Sequence, residues 1–431
     1  MFFKNGKRIV ILGGGFAGLA AARRLPSSYK VTLIDRKPYF EFLPNIHELI
    51  SLAKSPEILR LSLVDTVERF GHCFVGDSVV HIDGRANKVV TGLGEEIEYD
   101  ALLVAIGGED NSFGVPGVGE HAIRFKSIDD AWSIGQELLH RSMSDMTYDV
   151  VIVGGGFEGI EALGEILRRF GDDIKLRVTL IERNSRLMPS APVDVDRRVR
   201  EIVAPYPVRI VTGESVKEVT ADGVRCESGK FHQAEVTIWT GGLKPSPLLL
   251  RSGLTASPDQ WLSSANTLQS RNYDNIFVAG DVIDFPRNGH QMSQQAYHAM
   301  DSGEHAAENM VRFLKGKTLN SFHPVSKPLL VSFGDMTGFL VWGNKVVESN
   351  TVHLAKEAIY HAVMAGFDLS WGTASTLRLL KRTTNTLTEV AIPMLKRPAY
   401  FRKHPAVKVL AWRGEPQAAG TGDHRMRVIK N

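Results

Sequence analysis

The 431 residues are 43% hydrophobic and 23% charged, which is enough apolar material for two or three domains with substantial cores and too much for a disordered chain. Net charge is +3, and no run approaches the ~18 uninterrupted apolar residues that span a bilayer, so an integral membrane protein is excluded. The two cysteines, Cys73 and Cys226, are far apart and in no CxxC spacing. That argues against a disulfide framework or a thiolate metal site, and no metal is expected.

The N-terminus, MFFKNGKRIVILGGG, runs straight into a glycine loop and lacks the apolar core and small-residue cleavage site of a signal peptide, so the chain is expected to stay inside the cell. RIVILGGGFAGLAAARRL predicts a buried parallel strand, a glycine turn and a helix, and VTLIDR (31–36) is the next strand. Gly13 suits the tight turn, Gly15 lets backbone approach a pyrophosphate at the helix N-terminus, Gly18 lets helix pack on strand, and Asp35 can accept from ribose hydroxyls. Phe16 and Ala17 lie within this loop, and Arg36 follows the acid. YFEFLP, ending at Pro44, comes next, and YDALLVAIGG (99–108) is an apolar strand leading through Ala105 to Gly107.

The first pattern recurs 141 residues on. YDVVIVGGGFEGIEALGEIL offers Gly154, Gly156 and Gly159, with Phe157 inside the loop, and VTLIER ends at Glu182 and Arg183. An acid at 182 favours NAD(H), because a 2′-phosphate would be repelled, while Arg183 beside it leaves NADP(H) as the alternative. EVTIWTGGLKPSP (235–247) contributes Gly241 and Gly242, and YDNIFVAGDVIDFP (273–286) is a strand ending in Gly280 and Asp281. Two dinucleotide folds imply two dinucleotides.

The late strands resemble the later FAD signatures of the two-dinucleotide-binding flavoproteins, in which the second acid, here Asp281, is aimed at the ribityl chain. That likeness implies an α/β chain of two Rossmann-like domains, with the NADH domain (116–265) inserted in the FAD domain (1–115 and 266–325). A C-terminal membrane-associating or dimerisation region (326–431) follows. GGGFAG, YFEFLP, VAIGG, GGGFEGIE, WTGGLKP, FVAGDV and LLVSFGDMTGFLVWG together resemble the type II NADH dehydrogenases over about residues 8–370. Those enzymes pass electrons from NADH through FAD to a membrane quinone without pumping protons. The CxxxxC and CxxC pairs of disulfide reductases are absent, and Cys73 and Cys226 fall outside the segments used by sulfide:quinone oxidoreductases.

The resemblance also implies site residues. The family marks its quinone slot with AQxAxQ on the helix after the last FAD motif; here SQQAYH (293–298) keeps Gln294 and Ala296 but departs at Ser293 and His298. His298 is either a donor to a quinone oxygen or a helix-surface residue. Glu161, placed on the first turn of the second nucleotide helix, matches a glutamate implicated in proton and charge coupling to the quinone; its other reading is a carboxylate complementing the helix N-terminus. Lys327 stands where some relatives pair a lysine with that glutamate. Glu158 carries no such role.

HLAKEAIYHAVMAGF (353–367) sets Leu354, Ala358, Ile359, Ala362, Val363 and Gly366 on one apolar stripe that needs a partner: the FAD domain, a second subunit or lipid. Residues 377–431 hold twelve Lys or Arg against three acids, which is +9 and leaves −6 for the rest. Basic residues interleaved with bulky apolar ones over 377–412 suit an anionic membrane surface, or they are simply a solvated basic tail; nucleic acid is not expected. Pro393 breaks any single long helix there, and the tail from Gly414 is expected to be disordered. The reading is a cytoplasmic, peripheral membrane NADH:quinone oxidoreductase on the inner face of the membrane. Its alternatives are a relative reducing a soluble protein or small molecule, and a nucleotide-responsive flavoprotein that binds a partner.

Overall fold

The computed structural model describes residues 6–284, 295–368 and 407–412. Its first sheet is parallel, in the order Ile276–Val278, Ala101–Val104, Arg8–Leu12, Lys30–Ile34, Cys73–Val75. Both faces are covered, which is why the central strands read as unbroken apolar runs. Ile9, Ile11, Leu33, Leu103 and Phe277 are fully buried, each contributing about 1.5–3 kcal/mol. Ile276 pairs with Leu102 although 173 residues separate them, so the chain leaves this sheet and returns to complete it.

Between departure and return lies a second parallel sheet, in the order Ile123–Arg124, Val236–Trp239, Tyr148–Val153, Leu176–Glu182, Val208–Thr212. Four of its strands repeat the first arrangement, the structural counterpart of the 141-residue sequence repeat, while the fifth, the edge strand Ile123–Arg124, precedes the others in the chain where Ile276–Val278 follows them. The two are joined by short antiparallel strands, Glu109–Asp110 against Leu243–Lys244. Each unit also carries an antiparallel meander: Val79–Asp83, Lys88–Thr91 and Glu96–Glu98 in the first, and Val216–Thr220, Gly223–Cys226 and Phe231–Gln233 in the second.

The Phe16–Arg24 helix packs closely along the Ala296–Leu314 helix. A Cβ on Gly303 would lie 2.1 Å from the Ala17 carbonyl oxygen, so only glycine permits the approach. Beyond these units, Leu329–Phe333, Thr337–Trp342 and Lys345–Ser349 form an antiparallel sheet with the Val352–Phe367 helix packed on it. Among the described residues, no helix is long and apolar enough to cross a membrane.

Two C-terminal expectations change. Val407–Trp412, expected within a basic interfacial segment, is a strand whose backbone pairs with Lys345–Ser349 as the fourth member of that sheet, because the sheet edge offers its unpaired backbone groups a partner. In the Val352–Phe367 helix the buried positions are Val352, Lys356, Tyr360, Met364, Ala365 and Phe367, while Leu354 is 58% exposed. The expected stripe therefore flanks the packed face, which is set by a buried lysine that an apolar periodicity does not count. Pro393, the 377–406 basic segment and the tail from Gly414 lie outside the described residues.

Candidate active site

Both glycine turns adopt the geometry that dinucleotide binding needs. Gly13 and Gly154 have φ of +99° and +112°, and a Cβ on them would meet Ala105 O at 2.4 Å and Thr240 Oγ1 at 2.3 Å. Around Gly15 and Gly156, the N-caps of the Phe16–Arg24 and Phe157–Phe170 helices, a Cβ would meet nothing within 4 Å. That space at two helix N-termini is where phosphate oxygens would be cradled. Gly18 and Gly159 face the carbonyls of Gly13 and Gly154 too closely for any side chain.

The two strand-end acids hold these loops in shape. Asp35 accepts from Gly14 N–H at 2.6 Å and Lys37 N–H at 2.8 Å. Glu182, nearly fully buried, accepts from Gly155 N–H at 2.7 Å and Asn184 N–H at 2.8 Å. A carboxylate has about four lone-pair directions, so each acid can still accept from a ribose hydroxyl. Gly242 O accepts from Asn111 N–H at 3.0 Å and a Cβ on Gly241 would strike the Trp239 indole, which fixes the return to the first domain. Gly280 donates to Ser302 Oγ at 2.9 Å. Burial pushes the neighbouring Asp281 carboxyl up to about 6, opposed by His298 and Lys126. Pro44 is the second residue of the Leu43–Leu49 3₁₀-helix, Ala105 N–H bonds Leu12 O at 2.9 Å, Gly107 has φ +65°, and Arg36 is exposed. These residues fit a dinucleotide on each glycine loop.

Glu161 sits one turn further into the helix than the sequence suggested, because the helix begins at Phe157 and its first-turn acid is Glu158. The helix-terminus reading therefore falls on Glu158, which pairs with Lys126. Glu161 instead accepts from Ser332 N–H at 3.0 Å and from the ammonium of Lys356. The pair is 13% and 9% exposed. Gly164 makes this possible: a Cβ there would lie 2.5 Å from Gly334 N, so only a glycine lets the strand bring Ser332 down to the helix. Burial raises the Glu161 carboxyl, with Lys356 the main opposing influence. His47 Nδ1 lies 3.7 Å from Glu161 Oε2; it and Ser332 Oγ are buried without a hydrogen-bond partner, leaving polar capacity open at this spot.

The expected pairing of Lys327 with Glu161 is not what forms. Lys327 binds Asp301 at 2.7 Å and lies over the Tyr297 ring, while the helix supplying Lys356 packs directly on the strand beside Glu161. His298 is 7% exposed, with Nε2 3.1 Å from Val325 O; it is not a helix-surface residue. Gln294 lies outside the described residues. Cys73 is exposed on an edge strand of the first sheet, and Cys226 is buried in the second unit with its thiol pushed up to about 11 by burial, so no dithiol forms.

Sequence reasoning missed Lys126, His47, Ser51, Glu165 and Lys356. Glu165 had a signal, since Glu158, Glu161 and Glu165 stand at i, i+3 and i+7 on one helix face. The others meet Glu161 or its neighbours across more than thirty residues of chain.

Residues 7–303 match a family model described as Pyridine nucleotide-disulphide oxidoreductase. The chain is 26% identical to a Type II NADH:quinone oxidoreductase of Staphylococcus epidermidis, over 81% of this chain and 93% of that one. Against the Staphylococcus aureus protein of the same name it is 25% identical, with the same coverage. In fold it resembles NDH2 from Plasmodium falciparum solved with NADH (TM-score 0.73, 16% identity, 89% of this chain, 98% of that one). It is also similar to the sulfide:quinone oxidoreductase of Aquifex aeolicus (TM-score 0.72, 19% identity, 94% and 97%). The resemblance to type II NADH dehydrogenases read in the sequence is borne out by these relatives, and since the family model spans well over half its length, the chain belongs to the pyridine nucleotide-disulphide oxidoreductase family.

Proposed function

We propose that this chain takes hydride from NADH and reduces a membrane quinone, using FAD held on its first glycine loop and NADH on its second. The observation that carries this reading is the buried Glu161–Lys356 pair, set one turn beyond the NADH loop in a chain with no dithiol outlet among its cysteines. FAD, when bound, supplies the two-electron chemistry between nicotinamide and acceptor. The chain's own residues bind, orient and manage protons.

Backbone N–H groups at Gly15 and Gly156 hold the two pyrophosphates. Asp35 and Glu182 bind ribose hydroxyls, and Glu182 turns away the 2′-phosphate of NADPH. Asp281 accepts from the ribityl chain. Lys126, paired with Glu158 and near enough to Asp281 to influence its carboxyl, fixes charge where the two domains meet. Glu161 holds or releases a proton at its carboxyl, with Lys356 balancing the carboxylate once the proton has gone. His298 and Lys327 line the approach of the acceptor, to which the sequence pattern alone also assigns Gln294.

The domain limits follow the same reading: FAD domain 1–115 and 266–325, NADH domain 116–265, C-terminal region 326–431. The +9 segment 377–431 supports peripheral attachment to anionic lipid on the cytoplasmic face, and the exposed flank of the Val352–Phe367 helix supports a homodimer. The test is flavin bleaching by NADH followed by reoxidation with a short-chain quinone. Rapid reoxidation is expected; reoxidation by quinone no faster than by dissolved oxygen would remove quinone as the acceptor.

A further inference from the structure

Of the three carboxylates on one face of the Phe157–Phe170 helix, two are answered by a lysine, Glu158 by Lys126 and Glu161 by Lys356. Glu165 has none. It is 1% exposed, the Arg168 guanidinium lies 3.5 Å away, and its close partner is the Ser51 hydroxyl. That hydroxyl also lies 3.2 Å from the Glu48 carbonyl oxygen. A serine has one proton to give. The Ser51 hydroxyl therefore shares its one proton between Glu165 and the Glu48 carbonyl, and a carboxylate at Glu165 is answered only by that shared O–H and a guanidinium 3.5 Å away, less than either of its two neighbours on this helix face receives.

We propose that Glu165 stores the one proton that NADH oxidation does not supply and hands it to Glu161, which passes it with His47 toward the acceptor. This rests on the NADH:quinone reading above. The balance is NADH + H⁺ + quinone → NAD⁺ + quinol. Hydride brings two electrons and one proton, so a second proton must enter from solvent in each turnover. The O–H bond of Glu165 breaks as one forms on the Glu161 carboxylate; that proton then moves to a quinone oxygen. Water reprotonates Glu165 at the edge marked by Arg168, whose side chain is 32% exposed.

The surrounding charges favour this use. Burial pushes the Glu165 carboxyl up to about 7; Ser51 and Arg168 pull it down, while Glu48 and Glu161 push it further up. Burial, with Lys356, Lys54 and Arg168 adding to it, holds His47 well below its usual range. The imidazole is therefore neutral beside Glu161, with Nδ1 free to take or give a proton. Glu165 acts on the acceptor only through Glu161, which makes it a positioning residue for the proton and not a catalytic one.

The test uses the FAD-loaded full chain and Glu165→Gln, which keeps the shape of a protonated carboxyl without its acidic proton. Quinone-dependent kcat should fall roughly 10- to 100-fold, with the loss confined to flavin reoxidation, and the alkaline fall in kcat near pH 7 should disappear. Ser51→Ala removes a group that lowers the carboxyl and should move that fall to higher pH. A readout independent of turnover is an infrared pH titration of the resting protein. The wild type should lose a protonated-carboxyl band around pH 7, a band absent from Glu165→Gln. A variant that keeps wild-type quinone turnover and pH profile, or keeps the band, overturns the proposal and leaves the quinone reading standing. A wild type that cannot reduce quinone overturns both, and the infrared titration alone then decides whether Glu165 holds a proton.

Discussion

Replacing Lys356 with methionine keeps most of the apolar stem and removes the charge that balances Glu161. The carboxylate is then left with the Ser332 N–H at 3.0 Å and the His47 ring at 3.7 Å, in a site where both members of the pair were nearly buried. Removing one partner of such a pair costs about 3–5 kcal/mol. Protonation offers an escape that sets a ceiling. From the ordinary carboxyl value of 4.5, carrying a proton costs about 1.4 kcal/mol per pH unit, hence about 3.4 kcal/mol at pH 7 and about 1.4 at pH 5.5. Burial already raises Glu161 in the folded protein, and losing Lys356 raises it further. A carboxyl raised on folding contributes most stability below its unfolded value and loses it as pH rises through the folded value. Lys356→Met should therefore be destabilised by about 3 kcal/mol at pH 7 and about 1 at pH 5.5 in urea titrations, and adding Glu161→Gln should restore most of the loss. A loss equal at both pH values, or a double variant as unstable as the single one, would refute the account of a charge-balanced buried pair.

Three further changes probe other parts of the argument. Glu182→Ala removes acceptors for Gly155 and Asn184 N–H groups; it should cost about 1–3 kcal/mol of stability, raise the KM for NADH and narrow the preference over NADPH, and an unchanged ratio would mean that the ribose acid is misassigned. Gly164→Ala places a methyl 2.5 Å from Gly334 N and should cost about 1–3 kcal/mol by overpacking, together with a shift in the pH profile of quinone reduction as Ser332 is pushed off Glu161; an alanine variant as stable as wild type would show that the helix and strand do not touch there. Changing Lys396, Arg397, Arg402 and Lys403 to Gln should weaken flotation with anionic vesicles by tenfold or more, at about 1 kcal/mol per basic residue near the surface. Equal flotation would remove the argument for membrane attachment.

The nucleotide machinery was legible in the sequence because its physics is local. Gly13, Gly15 and Gly18 act within one turn, Asp35 lies one strand away, and the same set recurs at Gly154, Gly156, Gly159 and Glu182. The return of Ile276–Val278 to the first sheet was legible only through resemblance, since nothing local in YDNIFVAGDV says which sheet it joins. The apolar stripe on the last helix misled for a definite reason. Apolar residues occur on every side of that helix, so periodicity cannot choose a face; the choice is made by Lys356, the residue a hydrophobic pattern assigns to solvent, because Glu161 waits 195 residues earlier. The same limit explains Lys327, whose partner turned out to be Asp301 on the neighbouring helix.

The Phe157–Phe170 helix is where these long-range choices converge. Its Glu158 is answered by Lys126, from the short segment after the edge strand Ile123–Arg124 of the second sheet; its Glu161 by Lys356, from the Val352–Phe367 helix; and its Glu165 by Ser51, from the first domain. A helix meant only to present its N-terminus to a pyrophosphate would need none of these acids, and burying Glu161 and Glu165 costs stability unless each is paired or protonated. Three different parts of the chain supply the compensation, so the charge state of this one helix face is shared among the NADH loop, the first domain and the C-terminal region. A proton gained or lost at Glu161 is therefore felt in all three, and under the proposed function this electrostatic arrangement would match oxidation of a nucleotide on one side to proton uptake by an acceptor on the other.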